Sequence, residues 1–154
     1  MSETVKLSGF NELENAMRQL GGKVARRAGI AGMKMALKPT LTEARRQIPE
    51  RTGKLKKALK IRVGKTKKKS LAVVRVSLSE NTANLFTGQT FYGGFQEFGW
   101  RSGPRRLGDS RKQNPGEHFM QNAWEETRGT VLNDFKGYLG QAIEKAAAKL
   151  ANKK

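Results

Sequence analysis

Apolar residues recur at steps of three and four along the first third of the chain: Phe10, Leu13, Met17, Leu20, Val24, Ala28, Ala31 and Met35, then Leu37, Leu41, Ala44 and Ile48. That spacing draws one stripe down a helix and predicts helical structure over residues 9–48. Ser8 is suited to cap its start, and Glu12 and Glu14 lie where the helix dipole favours acids. Gly21-Gly22 and Pro39 interrupt the stripe. An interior glycine costs about 1 kcal/mol relative to alanine and an interior proline about 3, so two or three helical pieces are expected rather than one rod.

The period changes after Pro49, which restricts Ile48, while Thr52-Gly53 supplies a turn. Residues 59–63 (LKIRV) and 71–78 (LAVVRVSL) are rich in β-branched side chains and partly alternate. Joined by the basic GKTKKKS, they predict a β-hairpin with a charged tip over residues 58–78. Residues 79–90 read as a polar loop. In the aromatic segment 91–100 (FYGGFQEFGW), Phe91, Phe95 and Phe98 share a face if the segment is helical. Gly93-Gly94 limit it to a turn or two, or to a short irregular strand. Residues 101–116 (RSGPRRLGDSRKQNPG) hold almost nothing to bury and predict a flexible basic loop. Asn114-Pro115 matches an N-cap followed by proline. Met120, Trp124, Val131, Phe135, Leu139, Ile143, Ala146 and Leu150 then predict an amphipathic helix over residues 117–150. The elements add up to an α+β fold in a single domain, 1–154. In it a small antiparallel sheet packs against a long N-terminal helical region and a long C-terminal helix.

Charge changes the picture more than length does. Among 154 residues, 31 Lys and Arg stand against 13 Asp and Glu, a formal charge of +18. The apolar share is 36%, below the usual range of about 45–50%, which implies a modest core with long solvated faces. So basic a chain must be screened or must sit against something anionic, and nucleic acid is the commonest such partner. Residues 51–69 carry Arg51, Lys54, Lys56, Lys57, Lys60, Arg62, Lys65, Lys67, Lys68 and Lys69 with no acid among them. Of these, Lys54, Lys56, Lys57, Lys65, Lys67, Lys68 and Lys69 are the candidate contacts to DNA phosphates, which they meet without reading sequence. No aromatic is interleaved, so stacking on single-stranded bases finds no support.

Catalysis has little to work with. His118 is the only histidine and there is no cysteine, which leaves no zinc set, no thiolate site and no disulfide. Glu125 and Glu126 are neighbours in sequence, but on a helix they project about 100° apart. Thr52-Gly53-Lys54 echoes the end of a phosphate-binding loop, yet Ile48 and Leu55 stand where that loop needs a glycine and a hydroxyl. No catalytic, cofactor-binding or metal-binding residue is assigned. The N-terminus lacks the charged-then-apolar pattern of a secretory signal, and no apolar run approaches the ~20 residues of a membrane span. The expectation is a soluble protein made in a reducing cytoplasm.

Three short pieces matter in their order: Pro49-x-x-Thr52-Gly53-x-Leu55, then Tyr92-x-x-Phe95-x-Glu97-Phe98-Gly99, then Phe119-Met120-x-x-Ala123. Together they resemble the tail-component family of tailed bacteriophages, also called head–tail joining or tail-completion proteins, over about residues 10–135. The sequence departs from that pattern at Trp100, where threonine is usual, and at His118 and Asn122, where proline often stands. The basic stretch 101–116 separates the last two blocks.

The resemblance implies a virion structural protein without enzymatic activity or cofactor, made in the cytoplasm of a bacterial host. It implies a homo-oligomeric ring, six-membered as the first expectation, at the neck around the packaged DNA. Its partners there are head-closure or connector proteins and tail-terminator or tail-tube proteins. The subunit and partner interface then falls on Tyr92, Glu97, Trp100, Arg101, Arg105 and Arg106. With Phe95 and Phe98 turned inward, Glu97 is expected to face away from the core and to pair with an arginine of the next subunit. On that expectation Glu97→Gln spares the monomer and blocks assembly. The competing reading is a basic architectural nucleic-acid-binding protein, which has no need of the aromatic segment.

Overall fold

Three helices, not one rod, carry the N-terminal stripe. The computed structural model describes residues 11–49, 53–67, 71–78, 91–101, 103 and 113–152. It places α1 at Asn11–Gln19, α2 at Gly22–Ala36 and α3 at Lys38–Gln47. The breaks fall where the sequence puts its breakers. Gly21 takes a left-handed φ of 76°, and Pro39 lies in the first turn of α3, where its missing N–H costs nothing.

A short helix, α4 (Lys54–Ala58), follows, for which the pattern of apolar residues gave no expectation. Next come β1 (Lys60–Val63) and β2 (Val74–Ser77), hydrogen-bonded neighbours in a two-stranded antiparallel sheet inside the expected hairpin. The aromatic segment forms α5 (Phe91–Phe98). A second two-stranded ladder pairs β3 (Trp100–Arg101) with β4 (Gln113–Asn114), Trp100 opposite Asn114 and Arg101 opposite Gln113. The last described element is α6 (Phe119–Ala151), 33 residues long. The fold class is α+β.

The chain divides into two compact units, residues 1–37, 63–74 and 129–154 in the first and 38–62 and 75–128 in the second. The first is a helical packing of α1, α2 and the later part of α6. Leu13, Ala16, Met17 and Leu20 of α1 surround Ala28 of α2 and Leu139 and Ile143 of α6. Gly32 makes the α2–α6 approach close, since a Cβ there would stand 3.0 Å from the Leu139 Cα.

The second unit has its own core of Ala44, Ile48, Leu59, Leu78, Phe119 and Ala123, with Leu41, Leu55 and Val76 at its margin. Arg45 reaches from α3 to the Leu59 carbonyl at 2.8 Å. Thr127 donates its hydroxyl to the Ala123 carbonyl at 2.6 Å, which leaves the buried Thr40 hydroxyl to donate to Thr127 at 2.7 Å. Both hydroxyls are thereby satisfied away from water.

The apolar stripe expected along the last helix is not straight. Phe119, Ala123, Val131, Leu139 and Ile143 are buried, whereas Trp124 and Leu150 are exposed. In the first unit's part of α6 the buried Val131, Leu139 and Ile143 are eight and then four residues apart, and each four-residue step turns the face by about 40° on a helix of 3.6 residues per turn. Over the three steps from Val131 to Ile143 the buried face of the first unit's part winds through roughly 120°. A helix that buries different faces along its length shows no single amphipathic side.

Candidate functional site

The two glycines in FYGGFQEF decide which way α5 faces. Gly93 and Gly94 are buried. A Cβ on Gly93 would stand 2.8 Å from the Leu55 Cδ1 and would also collide with Leu78. The helix therefore lays its backbone directly on two leucines of the second unit's core. Four residues on from Gly93, Glu97 looks the same way and is only 6% exposed.

There its carboxylate meets the start of α6. Oε2 accepts from the Met120 N–H at 2.9 Å and Oε1 from the Gln121 N–H at 3.2 Å. The first N–H groups of a helix have no partners within the helix, and a carboxylate also complements the positive end of its dipole. Two backbone bonds extend the join: Glu117 N–H to the Gln96 carbonyl at 2.6 Å, and His118 N–H to the Glu97 carbonyl at 3.2 Å. Gly99 ends α5 with a left-handed φ of 76°, its N–H on the Phe95 carbonyl at 2.8 Å. A Cβ on Gly99 would stand 2.6 Å from the Gly116 nitrogen, and one on Gly116 2.6 Å from the Gly99 nitrogen. Two bare backbones touch where α5 stops and the approach to α6 begins.

This arrangement overturns the expected orientation of the segment. Glu97 faces inward, and Phe98, expected inside, is 63% exposed. Phe95 is half-buried, and the Phe91 side chain is not among those described. Bulk explains the inversion: a helix approaches a core most closely by its least bulky face, here the face of Gly93 and Gly94. Glu97 shares that face because the unpaired N–H groups of α6 await it there.

Asn114-Pro115 is likewise not a helix cap. Asn114 belongs to β4 and α6 begins at Phe119, because Gly116 has to fit against Gly99 with no side chain between them. His118, expected in a first helical turn, stands just before the helix, exposed and at a φ of 51°.

What α5 and β3 turn outward is aromatic. Tyr92 is 70% exposed and Trp100 49%, and Arg101 beside Trp100 is exposed as well. The expected flexible loop 101–116 is tied at its two ends by the β3–β4 ladder. Arg105 and Arg106 in its interior lie outside the described residues. Of the basic strip, Lys54 and Lys57 are exposed on α4, and Lys56 is half-buried with a partner of its own. Lys65 and Lys67 are exposed in the first unit, and Lys68 and Lys69 lie outside the described residues.

Among the described residues no group of His, Cys, Asp and Glu is placed to hold a metal ion, and no helix is long and apolar enough to cross a membrane. The Arg46 guanidinium, then the Gln47 amide, hold the carboxyl pKa of Glu43 in α3 down to about 2. Gln47 also donates to Glu126 of α6 at 3.1 Å, so this cluster, half-buried at Glu43 and Gln47, ties two helices of the second unit together.

The internal cap by Glu97 and the Gly99–Gly116 contact were missed in the sequence. Asn-Pro-Gly at 114–116 is a turn signal that a reading weighted towards helix caps passes over.

No curated protein and no solved structure matches the chain. Residues 11–99, more than half of it, match the model of the HK97-gp10-like family, described as "Bacteriophage HK97-gp10, putative tail-component". The match runs from the first residue of α1 to Gly99, the residue that closes α5 onto the approach to α6. The chain belongs to this bacteriophage tail-component family.

Proposed function

We propose that the protein forms part of a ring at the phage neck, joining the head connector to the tail tube around the DNA path. The observation that carries this beyond family membership is α5, a helix fixed from within and aromatic without. Tyr92, Phe98 and Trp100 are large and exposed, and aromatics with an adjacent arginine are the residue types that dominate binding at protein interfaces. Arg101, with Arg105 and Arg106 just after it, completes the proposed interface to the next subunit or to the connector and tail proteins. A closed ring repeats one such contact at every joint, so a modest contact gains by repetition. Glu97 serves this interface by holding α5 on α6, not by crossing it.

The test is a phage carrying Phe98→Ser with Trp100→Ser. Both side chains are exposed, so the purified variant is expected to unfold within about 0.5 kcal/mol of wild type. Ring formation, read by native mass spectrometry, is expected to fail, and electron micrographs of lysates to show filled heads apart from tails. Normal virion yield from the double variant would overturn the proposal.

Exposed Lys54, Lys57, Lys65 and Lys67 favour contact with packaged double-stranded DNA, on the lumen of such a ring or as an architectural binder in its own right. Binding is expected to be independent of sequence. In the pair Lys54→Glu with Lys57→Glu, the slope of log K against log salt should flatten by about 0.9 for each phosphate no longer neutralised. An unchanged slope removes α4 from the DNA contact. Tight DNA binding by a protein that never forms rings would favour the architectural reading.

A further inference from the structure

A groove of about 550 Å³ opens between α2 and the last turns of α6, wholly within the first unit and separate from α5. Its apolar lining includes Val24, Ala31 and Met35 on one wall and Ala146 and Leu150 on the other. The alanines leave room that leucines at the same positions would fill. Arg27, Lys145 and Lys149 also line it, all three exposed, and no Asp or Glu does. From residue 24 to residue 35 of α2 the wall runs about 16 Å at 1.5 Å per residue, the length of three helical turns.

The geometry points to a docking site for an acidic amphipathic helix of another protein, about three turns long. Its apolar residues at i, i+3 or i+4, and i+7 enter the groove, as in other helix-in-groove recognition, and its carboxylates meet Arg27, Lys145 and Lys149. A second copy of this chain offers no well-matched helix: α1 carries a basic residue, Arg18, in its last turn beside its two acids. That helix also spends Leu13, Met17 and Leu20 on the first unit's own core. A foreign helix is the better occupant on both counts.

The probe is a dye-labelled 15-residue helical peptide with leucines on one face and glutamates on the rest, followed by fluorescence anisotropy. The controls are the same peptide with lysine for glutamate, and a scrambled Leu/Glu peptide with no apolar face. The Glu peptide is expected to bind wild type, the Lys and scrambled peptides at least tenfold more weakly. Ala31→Trp, an exposed position in the mouth of the groove, and the pair Lys145→Glu with Lys149→Glu are each expected to weaken it about tenfold. Lys54→Glu with Lys57→Glu, in the other unit, is expected to leave it unchanged.

Equal binding of the scrambled peptide, or equal loss on reversing Lys54 and Lys57, would show general attraction to a basic protein and overturn the site. So would undiminished binding by an Ala31→Trp protein with a wild-type circular dichroism spectrum, or self-association of the chain that Ala31→Trp abolishes.

Discussion

Gly99→Ala is expected to destabilise the protein by about 3–5 kcal/mol, a large share of the about 5–15 kcal/mol that holds a typical domain folded. Two costs combine. The left-handed φ of 76° charges any side chain about 1–3 kcal/mol. The added Cβ would then meet backbone rather than a flexible side-chain end: the Gly116 nitrogen at 2.6 Å, the Pro115 carbonyl carbon at 2.9 Å and the Asn114 oxygen closer still. Backbone held by the β3–β4 ladder and by α6 gives way poorly, and overpacking of this kind typically adds 1–3 kcal/mol.

Urea unfolding followed by tryptophan fluorescence reads the effect where it arises, since the two tryptophans, Trp100 and Trp124, both belong to the second unit. Two other glycines separate the causes, with far-UV circular dichroism as the probe. Gly21 shares the φ of 76° but a methyl added there would have nothing within 4 Å, so Gly21→Ala is expected to cost the strain alone, about 1–3 kcal/mol. Gly137 lies inside α6 with open space around it, and Gly137→Ala is expected to stabilise by about 0.5–1 kcal/mol. A Gly99→Ala protein no worse than Gly21→Ala would mean that the Gly99–Gly116 approach is looser than its geometry.

The same contact shows why the chain gave up its secondary structure more readily than its site. Helical periodicity, the glycine and proline breaks and the β-branched runs are local signals, and α1 to α3, the β1–β2 hairpin and α6 follow them. The face of α5 does not follow from its own hydrophobicity. Phe98 outweighs Gly93 on any apolar scale, yet Gly93 is inside, because Leu55 and Leu78 come from elsewhere in the chain and demand a smooth surface. The winding buried face of α6 defeats a single-stripe reading in the same way, exposing Trp124 while Ala123 is fully buried. The three motif pieces were legible as an order without being legible as contacts. In space they are one packing unit: Leu55 under Gly93, Glu97 on the N–H groups of Met120 and Gln121, Gly99 against Gly116, and Phe119 with Ala123 in the adjoining core.

Glu97→Gln tests the centre of that unit, and the structure reverses the effect expected from the sequence. Had the carboxylate faced a neighbouring subunit, the monomer would melt like wild type. Buried and bonded to two α6 N–H groups, it is expected instead to destabilise the monomer by about 2–3 kcal/mol on substitution. The glutamine carbonyl still accepts from one N–H, but its amide nitrogen is a donor aimed at the other, which is left unsatisfied. Hydrogen bonds to a charged group contribute about 1.5–3 kcal/mol, and a buried donor without a partner costs about 1–3, so the two terms together exceed any surface effect. The dipole at the start of α6 also loses its counter-charge. Glu97→Ala removes both acceptors and is expected to cost more, about 3–4 kcal/mol. The loss should appear in the fluorescence of Trp100 and Trp124 and, residue by residue, as faster hydrogen exchange at the amides of Met120 and Gln121. A Glu97→Gln protein that unfolds like wild type, keeps slow exchange at both amides and yet fails to build rings would move the carboxylate's role from the inside of the subunit to the joint between subunits.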